Sequence, residues 1–275
     1  MHEIIVTGRT GAPPGDPLEK LNIQSYKAVQ VVDTAVIRPV AMGYRRVVPA
    51  PIRDGVRNFI NNLREPVVFL NYLLQLKPGK AVETVGRFTI NTTAGVGGVF
   101  DWAKRKPFYL PRRPNGLANT LGYWGVKPGP FLFLPLIGPT TLRDAIGDGL
   151  DRLVLPLGVG KPFNKPYVGI PVYVFSSMDQ RAEFDEQLQK QHDSPDGYTA
   201  TREDYLKARE DMINYLHGRG PPVPKPDDPR YVAPPAGSSR MLPTFKPLPS
   251  EPEADPAQPT VPAPTPAPWK EAGAD

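Results

Sequence analysis

The 275-residue chain is predicted to be mainly α: short amphipathic helices broken by Pro and Gly, followed by a Pro-rich tail. Three observations predict this. Apolar residues recur at helical spacing in window after window up to about His217. Strand signals are scarce and no internal repeat is evident. Seventeen of the 37 Pro fall after Gly220, where large apolar residues are too few to bury a core. The expected organisation is a flexible arm over 1–15, a helical domain over 16–220, and a disordered, polyproline-II-like extension over 221–275.

Asp16 and Pro17 are placed to cap and open the first helix, with Glu19 as the capping-box acid. Leu18, Leu21, Tyr26, Val29, Val32 and Val36 follow at helical spacing, and Pro39 should end the helix near Arg38. A second helix starts near Pro51, with Ile52, Val56, Phe59, Ile60 and Leu63 on one face and Arg53, Arg57 and Asn61 on the other. Pro66 opens a third, PVVFLNYLLQL, too short to cross a bilayer. After the Lys77-Pro78-Gly79 turn, a fourth runs through KAVETVGRFTINTTAG. It stops in AGVGGVFD, where Gly95, Gly97 and Gly98 permit sharp turns or close backbone approach. KRKPFYLPRRPNG is a basic loop. Asn119 to Asp144 is apolar, dense in Gly and Pro, and nearly without charge, so it must be buried or lie against lipid or another protein. Its FLFLPLI run is too short to span a bilayer but long enough to dip into one leaflet. Thr140 or Thr141 caps a short helix carrying Leu142, Ile146, Leu150 and Leu153. PVYVFSSMDQRAEFDEQLQKQ begins β-prone and turns helical, with Phe184 and Leu188 one turn apart. In the last helix, YTATREDYLKAREDMINYLHG, a Thr precedes the helix, Tyr205, Ala208, Met212 and Leu216 form the stripe, and Gly218 closes it.

The chain has no Cys, which excludes a disulfide frame, a thiolate metal site and a Cys nucleophile. Met1 to Gly11 lacks the apolar region of a signal peptide, so the chain is expected to be either cytosolic or processed, with its leader removed. His2, His192 and His217 are too widely spaced to point to a metal site. Residues 1–220 hold 28 basic against 21 acidic residues, net +7. That sign suits lipid headgroups or nucleic acid. RRVVPAPIRDGVR and KRKPFYLPRR sit in no recognised DNA- or RNA-binding module, so nucleic acid is not expected. There is no G-x-S-x-G elbow. GVGGVFD follows a helix rather than a strand and lacks the Lys-Ser/Thr of a phosphate loop. Asp144, Asp148 and Asp151 share a helix face flanked by Arg143 and Arg152, which reads as a solvated, paired face rather than a metal or acid–base site. No catalytic residue, metal or cofactor is expected.

Several longer motifs carry a resemblance: DPLEKLN, RPVA from Arg38, NLREP from Asn62, NYLLQ from Asn71, RFTINTTAGVGGVFD from Arg87, NTLGYWGVKPGPFLFLPLIGPTTLRD, and SPDGYTATREDYLKAR from Ser194. In this order they resemble the MlaA (VacJ) lipoproteins of the Gram-negative outer membrane, over about Asp16 to Leu216. The resemblance implies a ring-shaped, almost wholly helical protein embedded in one leaflet, on the periplasmic side of the outer membrane. It implies an amphipathic pore through which misplaced phospholipid passes to a soluble periplasmic carrier, MlaC, so that lipid asymmetry is maintained. Trimeric porin or another outer-membrane β-barrel is the implied membrane partner. The family's acylated N-terminal Cys is missing. The lipid path is expected around Gly95, Gly97 and Gly98 with Lys104 and Arg105, and around Tyr123, Trp124 and Lys127, since cations favour phosphates and Trp and Tyr favour interfaces. The competing reading makes the glycines packing devices and the aromatics ordinary core. Phe69, Leu73, Leu74, Phe131, Phe133 and Leu136 are the expected membrane-facing residues. EIIVTGR, Glu3 to Arg9, resembles the short extended segment near the mature N-terminus of TonB-dependent receptors, which makes TonB a further candidate partner; the plainer reading is a flexible arm. The alternative function is a non-transporting adaptor that positions outer-membrane partners through its basic loop and Pro-rich tail.

Overall fold

The computed structural model describes residues 12–135, 137–159, 165–192, 194 and 196–219, with two further short strands at 231–232 and 244–245. Glu3 to Arg9, His2 and most of the expected tail lie outside the described residues. The two short strands, β3 (Tyr231–Val232) and β4 (Thr244–Phe245), pair antiparallel.

The first helical stretch comprises α1 (Glu19–Val32), a π-turn over Asp33–Ile37, and α2 (Arg38–Val47). Pro39 does not end it. The Arg38 N–H reaches back five residues to the Asp33 carbonyl. This widened turn makes room for a ring that would otherwise meet the carbonyl four residues earlier. Asp16 does not cap α1 either, because Leu18 occupies the cap position. Asp16 is instead buried, accepting from Asn22 Nδ2 at 2.7 Å and from the Tyr198 hydroxyl, with Arg202 at 3.7 Å. It ties the start of α1 to the last helix.

The second and third expected helices are one, α3 (Ala50–Leu74), which passes straight through Pro66. A mid-helix Pro costs about 3 kcal/mol. The same helix buries Ile60, Val67, Val68 and Tyr72, each worth roughly 1.5–3 kcal/mol, so packing overrides the local penalty. Its main partner is α4 (Pro78–Thr93), at the expected position. The basic loop is a loop. It leads into α5 (Leu117–Tyr123), which packs against α6 (Leu142–Val159).

Between α5 and α6 the apolar stretch forms a β-hairpin, where strands were not expected. β1 (Phe131–Leu134) pairs antiparallel with β2 (Gly138–Thr141), Phe131 opposite Thr141 and Leu134 opposite Gly138. Phe131 and Phe133 alternate inward and are 1% and 5% exposed. They pack edge-on against Tyr26, Tyr198 and Tyr205, with ring centroids 5.3 to 6.2 Å apart. Asn22 completes the edge of β1, donating to the Phe131 carbonyl at 3.0 Å and accepting from the Phe133 N–H at 2.9 Å. Membrane exposure is therefore corrected for Phe131 and Phe133, whose faces are taken up by protein aromatics. FLFLPLI does not present these rings to a leaflet; Leu136 lies outside the described residues.

α7 (Pro166–Glu183), which continues through Pro171, α8 (Asp185–His192) and α9 (Gly197–Leu216) complete the fold. The α9 cap is Asp196, accepting from the Thr199 N–H at 3.0 Å, rather than a Thr. Tyr205, Met212 and Leu216 are buried as the stripe requires, and Gly218 closes the helix at φ +75°.

Candidate functional site

The predicted site residues fall into two groups. Gly95, Gly97 and Gly98 lie in the turns that follow α4. A Cβ on Gly98 would sit 2.4 Å from Asn62 Cβ, and one on Gly95 would sit 2.2 Å from the Phe100 carbonyl oxygen. Gly97 and Gly98 hold φ +68° and +100°. Asn62 Nδ2 donates to the Gly97 carbonyl at 3.3 Å and to Thr92 Oγ1 at 2.9 Å, and Asn58 Nδ2 donates to the Val99 carbonyl at 3.2 Å. The loop is thus sewn onto α3, and its glycines are needed for that closure. Lys104 is exposed, and the Arg105 guanidinium lies 4.9 Å over the Trp102 ring.

The second group, Tyr123 and Trp124 at the end of α5, docks at the C-terminal end of α3, whereas the glycine loop docks near its middle. Trp124 Nε1 donates to the Leu74 carbonyl at 3.0 Å. Asn62 and Leu74 are twelve residues apart on one helix, about 18 Å at 1.5 Å per residue, so the two groups are separate sites. Lys127 is exposed on the loop beyond. Of the other residues expected to face a membrane, Leu73 and Leu74 are exposed, and Phe69 is half-buried against Val68 and Tyr72.

Beside these two groups lies a buried polar interior that sequence reasoning missed. Arg87 Nε donates to Glu65 Oε1 at 3.1 Å and Nη2 to Asp101 Oδ2 at 3.2 Å, while Asn91 Nδ2 donates to Asp101 Oδ1 at 3.0 Å. Burial pushes the Glu65 carboxyl above the usual carboxylate range, with the Arg87 charge opposing. Nearly three turns beyond Glu65, just past the end of α3, Gln75 Nε2 donates to Asn115 Oδ1 at 3.0 Å and to Thr120 Oγ1 at 2.8 Å; the Thr120 hydroxyl donates to Asn71 Oδ1 at 2.6 Å. Asp151 accepts from the Leu117 N–H at 2.8 Å and from Asn71 at 3.4 Å, and burial raises its pKa.

Asp144 is fully buried between Arg143, Tyr205 and Arg209, with Arg209 Nε at 2.9 Å and the Tyr205 hydroxyl at 2.6 Å. Burial pushes this carboxyl up, but the Arg209 charge and the hydrogen bonds from Arg209 and Tyr205 outweigh it and bring the pKa down to about 2. A third ionic set joins the N-terminal helices to α7 and α8: Arg181 bridges Asp33 and Asp185, each at 2.7 Å, and Arg38 reaches Asp185 at 2.8 Å. Arg57 holds Asp179 at 2.8 Å. The expected solvated aspartate face is therefore corrected: Asp144 and Asp151 point inward and are satisfied by protein donors. The one hint in the sequence was polar residues a turn apart inside apolar windows, as in Asn71 with Gln75 and Arg87 with Asn91. Among the described residues, no group of three or more His, Asp or Glu is placed to hold a metal ion.

The apolar residues are turned the other way. Among the described residues, twenty-one polar or charged residues are buried against sixteen hydrophobic ones, while thirty large hydrophobics are exposed. On α6, Leu142, Ile146, Leu150 and Leu153 form an exposed stripe, Leu153 at 67%, on a helix whose Arg143, Asp144 and Asp151 are buried. Tyr167, Ile170 and Val174 repeat the pattern on α7, and Val32, Val36 and Val40 repeat it across the π-turn. No described helix is long and apolar enough to cross a membrane.

These features define a class: a mainly helical protein held together by buried polar networks, with much of its large apolar surface outside. Comparison gives the class a family. The family model described as MlaA lipoprotein matches residues 14–212, and the chain belongs to that family. The intermembrane phospholipid transport system lipoprotein MlaA of Escherichia coli is 35% identical over 208 residues, covering 72% of this chain and 78% of that protein. The protein of the same description from Haemophilus influenzae is 33% identical over 204 residues, covering 72% and 79%. A solved structure, described as the structural basis for maintenance of bacterial outer membrane lipid asymmetry, matches with a TM-score of 0.66 at 33% identity, covering 72% of this chain and 99% of that one.

Proposed function

We propose that the protein removes misplaced phospholipid from the outer leaflet of the Gram-negative outer membrane and passes it to a periplasmic lipid carrier of the MlaC type, maintaining lipid asymmetry. It does so as a non-enzymatic transporter seated in one leaflet, on the periplasmic side, with an amphipathic path across it and a trimeric porin or other β-barrel beside it. The observation that carries this reading is the inverted distribution of polarity. Continuous stripes of exposed Leu, Ile and Val on α6 and α7 are a liability in water and a natural seat in a leaflet, where short helices lie in the interface without spanning. The relatives' description as phospholipid transport lipoproteins supports the same reading.

The test is a clean deletion in the source bacterium. The expected result is phospholipid exposed at the cell surface and increased detergent sensitivity, both reversed by the wild-type chain. Unchanged asymmetry in the deletion overturns the proposal.

A further inference from the structure

One corner gathers aromatic rings, two lysines and exposed leucines: the α3–α4 turn with the ends of α5 and α9. The Trp124 ring is 58% exposed although its Nε1 is tied to the Leu74 carbonyl. Tyr123 stands edge-on to Trp124 at 5.5 Å and stacks on His217 at 4.5 Å. Lys77 Nζ lies 5.1 Å over the Tyr123 ring and donates to the Leu216 carbonyl. Lys80 Nζ lies 5.8 Å over the Tyr215 ring. Arg113, whose charge also acts on Lys80, is paired with Glu83.

Leu76 sits in this turn at φ +54° and is 74% exposed. That backbone conformation favours Gly or Asn and is strained for a branched apolar side chain. In water the choice is doubly unfavourable, since it adds strain and exposes a hydrophobe. In an apolar medium the exposure cost is replaced by a gain that offsets the strain. Cations together with Trp and Tyr rings beside such a tip are the groups that suit a membrane interface: cations for phosphates, amphipathic rings for the boundary, an apolar tip for acyl chains.

We propose that this corner engages the anionic headgroup layer of a phospholipid leaflet, with Lys77 and Lys80 meeting phosphate, the Trp124 indole at interfacial depth, and Leu74 and Leu76 entering the upper acyl region. The inference rests on the lipid-seated reading above and adds the place and depth of one contact.

The test uses the full chain with Trp102→Phe and Trp269→Phe, which leaves Trp124 as its one Trp. With vesicles of phosphatidylcholine and phosphatidylglycerol, Trp124 emission should shift to the blue. It should be quenched more by lipid brominated high on the acyl chain than by lipid brominated near the methyl end. In the wild-type background, Lys80→Gln should weaken binding to anionic vesicles about fivefold, with little effect on neutral ones. Leu76→Asn should weaken binding to both about tenfold while leaving thermal stability unchanged or raised, because Asn accepts the turn. If the chain floats with vesicles but both variants bind as wild type and Trp124 is unquenched, this corner is not the contact and the lipid-seated reading stands. If the wild-type chain fails to associate with vesicles of any composition, both readings fall.

Discussion

Asp144 shows how a single residue carries long-range structure. It sits just inside the start of α6 and receives Arg209 and Tyr205 from α9, sixty-odd positions away in sequence. Its folded pKa, about 2, lies below the ordinary value of 3.8. A group depressed in this way stabilises the fold fully above its unfolded pKa and loses that contribution as pH falls through the folded one. The contribution is about 2 kcal/mol at neutral pH. Denaturant titrations should therefore give stability that is flat in this respect above about pH 4 and falls between pH 4 and pH 2. Asp144→Asn should flatten that window and destabilise the protein by about 3 kcal/mol at pH 7, since it leaves Arg209 buried without its counter-charge. A wild-type acid transition retained unchanged in the variant would show that other carboxyls carry it. Sequence alone placed Asp144 on a paired face, but not inside, because Arg209 becomes its neighbour only through the fold.

Helix α6 makes the corresponding point for an element. Its periodicity was legible, and so was its start: Thr141 Oγ1 accepts from the Asp144 N–H at 3.4 Å. Which face turns inward was not legible. Periodicity reports two faces and says nothing of the medium each one meets; here the face with Asp144, Gly147 and Asp151 is inside. Gly147 permits this, for a Cβ there would stand 2.4 Å from the Ala118 backbone nitrogen of α5. Gly147→Ala should cost about 1–3 kcal/mol in thermal or denaturant unfolding, because backbone cannot move aside as a side chain does. Ile146→Ser with Leu150→Ser, on the outer face, should change unfolding by less than about 0.5 kcal/mol yet shift the protein from the membrane fraction to the soluble one. A large stability loss in that pair would mean that the outer face is covered by protein. The other misreadings share this origin. Pro39 and Pro66 are helix breakers only until a π-turn or tertiary packing compensates, and the Phe131–Phe133 alternation is too short to announce a hairpin until Asn22 supplies an edge for it to pair with.

At the scale of the whole molecule, two kinds of force are kept apart. The interior is tied by ion pairs and amide networks among α3, α4, α5, α6 and α9, whereas the apolar area on α6, α7 and the α1–α2 stretch is left over. On the proposed lipid-seated reading, a protein folded in this way holds its helices together through its interior and covers its apolar exterior with lipid. The chain and its surroundings should therefore separate in a definite order when extracted. Native mass spectrometry of the protein taken from outer membranes in mild detergent is expected to show phospholipid adducts, and a share of molecules bound to a β-barrel partner. Raising collisional activation should remove the lipid while the chain keeps its compact charge-state distribution, because the internal ion pairs persist. A compact chain bound to its barrel partner but carrying no phospholipid would overturn the transport reading in favour of an adaptor that only positions partners. A chain that loses its compact distribution as the lipid leaves would show that the buried polar networks are insufficient on their own to hold the helices.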